Sequence, residues 1–227
     1  MHTHNTIHSI SSLAESAQRT EPGHHPGEEK ARNVITLSAG TGTGGKEVAE
    51  ILAKRLGIDL YDKEIVALLA REAHLDKSVL ERLDERLDGF KGAWLYSFLT
   101  GENISEENYL RNLTNVLRGI ACRGGVIFGR GANFILADLS SVLRVHIVGT
   151  FQTCVDRLAA QEDITRKEAS LKIQETDKAR CDYIKELFKC DNESAPVHFD
   201  LIINSDHLAP AHIADLILQA REHAEFE

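Results

Sequence analysis

Residues 34–52 read VITLSAGTGTGGKEVAEIL, in which an apolar run leads into a glycine-rich turn and the turn leads into a helical stretch. A short apolar run bounded by glycine predicts a buried strand, Val34–Leu37. With a helix after the turn, the Gly-x-x-x-x-Gly-Lys spacing is typical of phosphate-binding loops. The predicted loop consists of Gly40, Thr41, Gly42, Thr43, Gly44, Gly45 and Lys46.

The residues of this turn suit phosphate for physical reasons. Glycines let backbone N–H groups approach phosphate oxygens closely, and the N-terminus of the following helix adds partial positive charge. Lys46 is placed where its ammonium group could reach the β and γ phosphates of a nucleoside triphosphate. A lysine on a solvated helix face is the alternative, but the surrounding strand and helix favour phosphate binding.

The residue after Lys46 departs from the usual pattern. A Ser or Thr normally follows the lysine and binds Mg²⁺ through its hydroxyl, but Glu47 and Val48 stand here. The metal ligands therefore come from elsewhere or through water. The sequence does not choose among the candidate oxygens, which belong to Ser38, Thr41, Thr43 and Glu47.

Length and composition describe an ordinary globular protein. The chain has 227 residues, of which 42% are hydrophobic and 27% charged, and no apolar run approaches the ~18 residues that span a bilayer. A formal charge of -9 argues against a broad nucleic-acid-binding face, which would be basic. The 4 cysteines form no C-x-x-C pair, so we expect reduced thiols in a cytoplasmic protein without membrane or nucleic-acid partners.

One folded domain with a tail is the predicted organisation. Residues 1–32 are rich in Ser, His, Glu and Gly without a sustained apolar period, so we interpret them as a flexible tail. The histidines of the tail lack the fixed spacing of a metal site, and its start lacks the pattern of a secretion signal. Residues 33–227 form the predicted domain.

Short β-rich runs alternate with helical stretches from Asn33 onward, which is typical of an α/β fold with a parallel sheet covered by helices. The capping box Thr165-x-x-Glu168 and Pro210 signal two helix starts. Five strands are predicted, at Val34–Leu37, Asp59–Tyr61, Val126–Phe128, Leu143–Val148 and Asp200–Ile203.

Two segments interrupt this alternation. Residues 63–123 are predicted to hold several helices and no strand, and their aromatic stretch around Trp94 could cover a substrate, contact a second copy in a homodimer or belong to the core. Residues 163–195 are highly charged and mostly helical, and they lie between the fourth and fifth strands, where a closing lid could sit.

Further candidate residues follow the predicted strands, because open parallel sheets bind ligands off the carboxyl ends of their strands. Arg130 and Asn133 follow the third strand, and Arg130 could fork onto a phosphate or pair with a surface acid. Asp62 follows the second strand and faces the same mouth, although it could instead cap the next helix.

Asp177 and Arg180 stand three residues apart within the charged segment and so share one helix face. This spacing permits joint contact with a ribose and a phosphate. A solvated ion pair is the simpler interpretation, and the residues by themselves favour it.

Taken together, these motifs resemble the cytidylate kinase-like family over residues 33 to about 220. The motifs occur in the order of that family: ITLS at 35–38, the glycine-rich loop at 40–46, YDKE at 61–64, GRGAN at 129–133, DKAR at 177–180 and FDLIIN at 199–204. Each motif is weakly specific, whereas their combination is specific.

The resemblance implies the three-layer αβα fold of P-loop NTPases, with a five-stranded parallel sheet, a helical NMP-binding insertion and a helical lid. It implies transfer of the γ-phosphoryl group of ATP, with Mg²⁺, to a nucleoside monophosphate, CMP or dCMP above all, or to a similar small phosphate acceptor. Lys46, Arg130 and Arg180 would then be catalytic. The residues that would bind the acceptor are Asp62, Arg130, Asn133, Asp177 and Arg180.

The chain departs from that family pattern at two further positions. Cytidylate kinases follow the Gly-Arg pair with an Asp that helps to recognise the nucleotide, and Gly131 stands there in this chain. Ile173 replaces an arginine expected in the lid. A nucleotide-binding regulatory protein with weak or no kinase activity is therefore the alternative hypothesis. A purely structural module ranks last, because it leaves the glycine-rich turn unexplained.

Overall fold

A computed structural model describes residues 34–62 and 106–224, and the elements are numbered along these residues. The strands are β1 (Val34–Ala39), β2 (Leu60–Tyr61), β3 (Gly125–Phe128), β4 (Val142–Val148) and β5 (Leu201–Asn204). The helices are α1 (Gly45–Leu56), α2 (Glu106–Ala121), α3 (Ala132–Ile135), α4 (Phe151–Glu162), α5 (Arg166–Phe188) and α6 (Pro210–His223). A 3₁₀ turn occupies Pro196–His198.

The strands form one 5-stranded sheet in the order β2-β3-β1-β4-β5, and every pair is parallel. The central strand β1 pairs with β3 from Val34 opposite Gly125, and with β4 from Val34 opposite Val142. The chain completes one side of β1 before it crosses to the other side. The loops after β1, β3 and β4 therefore meet at the carboxyl edge of the sheet.

Helices cover both faces of the sheet, because alternate residues of a strand point to opposite faces. Ile35 and Leu37 pack with α1 and α6 in one buried cluster that includes Leu52 and Ile213. Val34 lies on the opposite face, in a cluster built with α2 and α3. The predicted three-layer α/β arrangement with a five-stranded parallel sheet is confirmed.

The sequence-based elements match the structure closely. All five predicted strands are present, and their ends move by only one or two residues. The capping box is formed, with the Glu168 backbone N–H donating to Thr165 Oγ1 at 3.2 Å, and Pro210 starts α6. The cysteines are free thiols, as expected from their spacing.

The predicted tail at 1–32 and most of the predicted insertion, residues 63–105 including Trp94, lie outside the described residues. The last part of the segment 63–123 forms α2, which is a core helix. Its Leu117 and Ile120 are fully buried against the sheet.

The predicted lid segment, residues 163–195, consists mainly of the 23-residue helix α5. Its first half packs against α4 through Ile173, and its second half buries Tyr183 and Leu187 in a separate cluster. The middle of α5 is thereby held over the carboxyl edge of the sheet, where the loops meet.

We expect Leu117→Ala to lower the free energy of unfolding by ~2–5 kcal/mol, because it leaves a cavity beneath α2. Urea unfolding would measure the loss. Leu171→Ala is the matched control, since Leu171 is 51% exposed, and should change stability by less than ~1 kcal/mol. Equal losses in the two variants would contradict the core position of α2.

Candidate functional site

The glycine-rich loop, residues 40–46, folds back on itself at the end of β1. The Gly40 N–H donates to the Ile147 carbonyl at 3.2 Å, which fixes the loop to β4. Thr43 donates to the Gly40 carbonyl through its N–H at 3.2 Å and its hydroxyl at 2.7 Å. Gly42 and Gly44 have φ values of 80° and 81°. Helix α1 begins at Gly45, within the last residues of this loop, and its first N–H groups lack intrahelical partners.

Gly42 has no substitute at this point of the loop. Its left-handed backbone disfavours a side chain, and a Cβ atom would lie 2.5 Å from the carbonyl oxygen of Cys154. The loop is therefore pressed against the first turn of α4. A larger residue would push it away from the position in which it faces α5.

Lys46 lies in the first turn of α1 and is exposed. It makes no hydrogen bond or ion pair within residues 34–62 and 106–224, so its ammonium group is available to a ligand. The two residues after it have different roles. Glu47 is exposed, whereas Val48 is fully buried in the cluster beneath α1 and supplies no oxygen to a metal ion.

A carboxylate from α5 contacts the glycine-rich loop. Thr41 donates to Asp177 Oδ1 through its backbone N–H at 3.2 Å and its hydroxyl at 2.8 Å. The same oxygen accepts from Arg180 Nη1 at 2.9 Å. The ion pair indicated by the sequence is present, but it is only about one-third exposed, with side-chain accessibilities of 28% and 33%. It joins α5 to the loop instead of lying free in solvent.

Arg180 is held by three acceptors from separate parts of the chain. Its Nη1 donates to the Ala39 carbonyl at 2.9 Å and to Asp177, and its Nε donates to Glu193 Oε1 at 3.0 Å. Burial by itself lowers the pKa of Arg180, but the Asp177 and Glu193 carboxylates outweigh it and raise that pKa above its ordinary value. The guanidinium is charged and fixed in position.

Glu193 and Arg157 are site residues that sequence reasoning missed. The Glu193 side chain is 14% exposed and also accepts from the Cys181 thiol at 3.3 Å. Burial, followed by this hydrogen bond, raises the pKa of Cys181 to about 11, so the thiol keeps its proton. Arg157 donates to Ser205 Oγ at 2.9 Å and contacts the Thr43 carbonyl at 3.5 Å. Neither residue belongs to a motif, so no local signal pointed to them.

The loop after β3 holds Arg130 in a left-handed backbone conformation. The φ values of Gly129, Arg130 and Gly131 are 78°, 59° and 68°. A non-glycine residue in this region is uncommon, and such strain is found where surrounding contacts enforce it. One such contact is the Tyr183 hydroxyl of α5, which donates to the Arg130 carbonyl at 3.3 Å.

A cleft opens between the end of β1, the loop after β3, and α5. It brings together three of the predicted binding residues, Arg130, Asn133 and Arg180, together with Glu193. Asp177 lies beside it and connects it to the glycine-rich loop. Asp62 ends the edge strand β2 and is not among the described residues that line the cleft.

Gly131 is required by the end of α5. A Cβ atom on Gly131 would lie 2.3 Å from Cε2 of Phe188, whose ring stacks on Phe134 with centroids 5.1 Å apart. An aspartate after the Gly-Arg pair has no room in this packing. The departure from the cytidylate kinase pattern at this position therefore has a steric reason.

We expect Gly131→Ala to lower the free energy of unfolding by about 2–5 kcal/mol, because left-handed strain and the clash with Phe188 add together. In a Phe188→Ala background the clash disappears, and the same substitution should cost only about 1–2 kcal/mol. A double-mutant cycle in urea measures the difference. If Gly131→Ala lowers the free energy of unfolding equally in both backgrounds, the Phe188 ring does not exclude a side chain at residue 131.

His146 is a buried histidine on β4 behind the cleft. It is 4% exposed, its Nδ1–H donates to the Ser38 carbonyl at 3.2 Å, and its ring stacks on Phe199 with centroids 4.6 Å apart. Burial lowers the pKa of His146, and the hydrogen bond to Ser38 only partly opposes this effect. The imidazole is neutral at neutral pH.

The lowered pKa of His146 makes stability depend on pH. The unfolded histidine takes up a proton near pH 6.5, before the folded one does, so the stabilising contribution is complete above about pH 6.5 and is lost as the pH falls below it. We expect the wild-type Tm to drop more between pH 7.5 and pH 5.5 than the Tm of His146→Phe. If the Tm of the two proteins falls equally between these pH values, His146 is not held in the neutral form by burial.

No helix among the described residues is both long and apolar enough to span a bilayer. The same residues hold no group of three or more His, Cys, Asp or Glu side chains that could bind a metal ion by themselves.

A parallel five-stranded sheet between two helical layers, with a glycine-rich loop after its central strand, defines an α/β protein with a ligand site at the carboxyl edge. The model of the family described as "Cytidylate kinase-like family" matches residues 34–207. The chain belongs to the cytidylate kinase-like family.

Individual relatives agree with this assignment. The cytidylate kinase of Sulfolobus acidocaldarius is 25% identical over 189 residues, which cover 81% of this chain and 91% of that protein. The crystal structure of an uncharacterized protein from Eubacterium ventriosum has a TM-score of 0.62 at 22% identity, and the match covers 85% of this chain and 99% of that chain. This second match shows the shared fold.

Proposed function

We propose that this protein is an ATP-dependent phosphotransferase that transfers the γ-phosphoryl group to a nucleoside monophosphate, with CMP or dCMP favoured. One observation carries the proposal. Arg180 contacts the Ala39 carbonyl at the start of the glycine-rich loop and also lines the adjacent cleft. A fixed positive charge thus lies between a donor site and an acceptor site, where phosphoryl transfer needs it.

The glycine-rich loop fits the phosphates of ATP. The loop, with its positive φ values, and the first turn of α1 offer backbone N–H donors, and the helix N-terminus adds partial positive charge. Lys46 supplies an ammonium group that no acid among the described residues pairs with. In the proposal, the loop amides bind the donor phosphates and Lys46 contacts the β and γ phosphates. Lys46 thereby stabilises charge on the group that is transferred.

Mg²⁺ fits this site mainly as a companion of the nucleotide. Magnesium in proteins usually keeps several waters and is held by one or two carboxylates and the substrate phosphates. Glu47 is an exposed carboxylate next to Lys46, and Thr41 and Thr43 place hydroxyl oxygens within the loop. When bound, the metal ion would neutralise phosphate charge, and the side chains of this chain would orient the reacting groups.

The acceptor would lie in the cleft, with its phosphate on Arg130 and Arg180. Guanidinium groups bind phosphate oxygens bidentately, and both arginines are positioned by other contacts. Asp177 is proposed to contact the acceptor sugar, and Asp62 is proposed to contact the acceptor from the β2 end. A general base is not required, because the attacking group is already an anion and catalysis consists of positioning and electrostatic stabilisation.

The proposed organisation assigns α5 to the lid and residues 63–123 to the acceptor-binding side of a domain that covers residues 33–227. The hydrogen bonds from Thr41 to Asp177 support the lid assignment, because they bring α5 against the donor loop. Free cysteine thiols support a reducing compartment such as the cytoplasm. The partners in this proposal are small nucleotides.

We expect Lys46→Ala to reduce kcat for ADP production by ~100-fold or more, because it removes transition-state charge stabilisation. The assay measures ADP release from ATP and Mg²⁺ with CMP, dCMP, UMP, AMP or GMP. Lys54→Ala, on the last turn of the same helix, is the matched control and should retain full activity.

Arg130→Ala should raise the acceptor KM in the same assay while the Tm stays close to that of the wild type. Wild-type turnover in both Lys46→Ala and Arg130→Ala would refute the proposed site. If the wild type releases no ADP with any acceptor but still binds ATP in calorimetry, a nucleotide-binding regulatory protein is favoured instead. That alternative is motivated by the unusual Glu47 and Val48.

A further inference from the structure

The amide of Asn133 is a buried polar group that the fold leaves without a partner. Asn133 lies in the first turn of α3, is 6% exposed and lines the cleft. Its Nδ2 makes no hydrogen bond within the described part of the chain. A buried amide donor without an acceptor destabilises a protein. Its presence in a cleft therefore points to a ligand that accepts a hydrogen bond from it.

The cleft has a charged part and an aromatic part. The guanidinium groups of Arg130 and Arg180 suit a phosphate, whereas the rings of Phe134, Tyr183 and Phe199 form apolar walls. The neutral Asn133 amide is next to Phe134 in the chain. A neutral amide beside aromatic rings suits the edge of a heteroaromatic base better than it suits a phosphate.

Other polar groups near this position are already engaged. Gly131 has no side chain, and Phe188 fills the space into which a side chain there would extend. Oε1 of Glu193 is occupied by Arg180 and Cys181, and its charge is balanced by the guanidinium. Among the cleft side chains, the Ser38 hydroxyl and the Asn133 amide remain as neutral groups with both a donor and an acceptor to offer, and the Asn133 donor is buried without a partner among the described residues.

We propose that the Asn133 amide recognises the base of the acceptor nucleotide, and that it accepts cytosine and uracil alike. Cytosine presents an amino donor beside a ring-nitrogen acceptor, and uracil presents a carbonyl acceptor beside a ring N–H donor. An amide that turns over by 180° matches either order. A carboxylate only accepts, so where it faces the exocyclic group of the base it suits the cytosine amino group and repels the uracil carbonyl.

This inference rests on the proposed function, because it assumes a nucleotide acceptor, and it widens the favoured base from cytosine to both pyrimidines. The test compares the full-length wild type with Asn133→Asp and Asn133→Ala, using kcat/KM for CMP and for UMP at saturating ATP and Mg²⁺. Asn115→Asp, an exposed asparagine on α2, is the matched control and should behave as the wild type.

We expect the wild type to use CMP and UMP within about tenfold of each other. Asn133→Asp should raise the CMP to UMP ratio at least about tenfold, chiefly by loss of UMP, while the KM for ATP is unchanged. Asn133→Ala should lower both kcat/KM values at least about tenfold. An unchanged ratio in Asn133→Asp, or full activity in Asn133→Ala, would overturn the inference.

Thermal unfolding without nucleotide separates this role from a structural one. Asn133→Ala removes an unpartnered buried amide, so its Tm should equal or exceed that of the wild type although its acceptor use falls. If Asn133→Asp does not fold, the Ala variant still decides the matter, because a lower Tm together with lost activity would indicate a structural role.

Calorimetry with CMP and UMP distinguishes failure of this inference from failure of the kinase proposal. A wild type without turnover that binds both nucleotides, with UMP binding lost at least about tenfold in Asn133→Asp, would retain base recognition and refute the kinase. A wild type that binds neither nucleotide would overturn the base recognition itself.

Discussion

The site depends on the hydrogen bonds of the partly buried Arg180 guanidinium. A buried charge is tolerated only when it is paired and hydrogen-bonded, and here the acceptors come from the end of β1, from α5 itself and from the segment after α5. Because Arg180 hydrogen-bonds to all three acceptors, the end of β1, helix α5 and the segment after α5 are fixed relative to one another. The cleft beside Arg180 and the loop beneath it are consequences of that fixed geometry.

The sequence predicted the architecture well because its signals are local. Apolar runs bounded by glycine located the strands, the Thr165–Glu168 capping box located the start of α5, and the glycine spacing located the loop. Contacts between distant segments could not be predicted in this way. Glu193 lies in an irregular segment without a motif, and the fit of Phe188 onto Gly131 depends on how α5 docks. Such contacts are properties of the folded packing, so a single sequence does not reveal them.

Three features that a stable fold usually avoids lie at the carboxyl edge of the sheet. Arg130 has a strained backbone, His146 is buried without charge, and Asn133 has a buried donor without an acceptor. The regular core beneath them shows aliphatic side chains packed between helices and strands. Local strain and unpartnered polar groups are often retained where a ligand is bound, in agreement with the proposed site.

Under the proposed function, the contact between Asp177 and Thr41 would also affect the energetics of donor binding. The carboxylate accepts from a backbone N–H of the glycine-rich loop, so a phosphate that takes this N–H has to displace an anion that belongs to the chain. Such a tethered competitor has a high effective concentration and cannot diffuse away. The apparent dissociation constant for the nucleotide is then the intrinsic constant of the open loop divided by the fraction of molecules in which Asp177 has withdrawn.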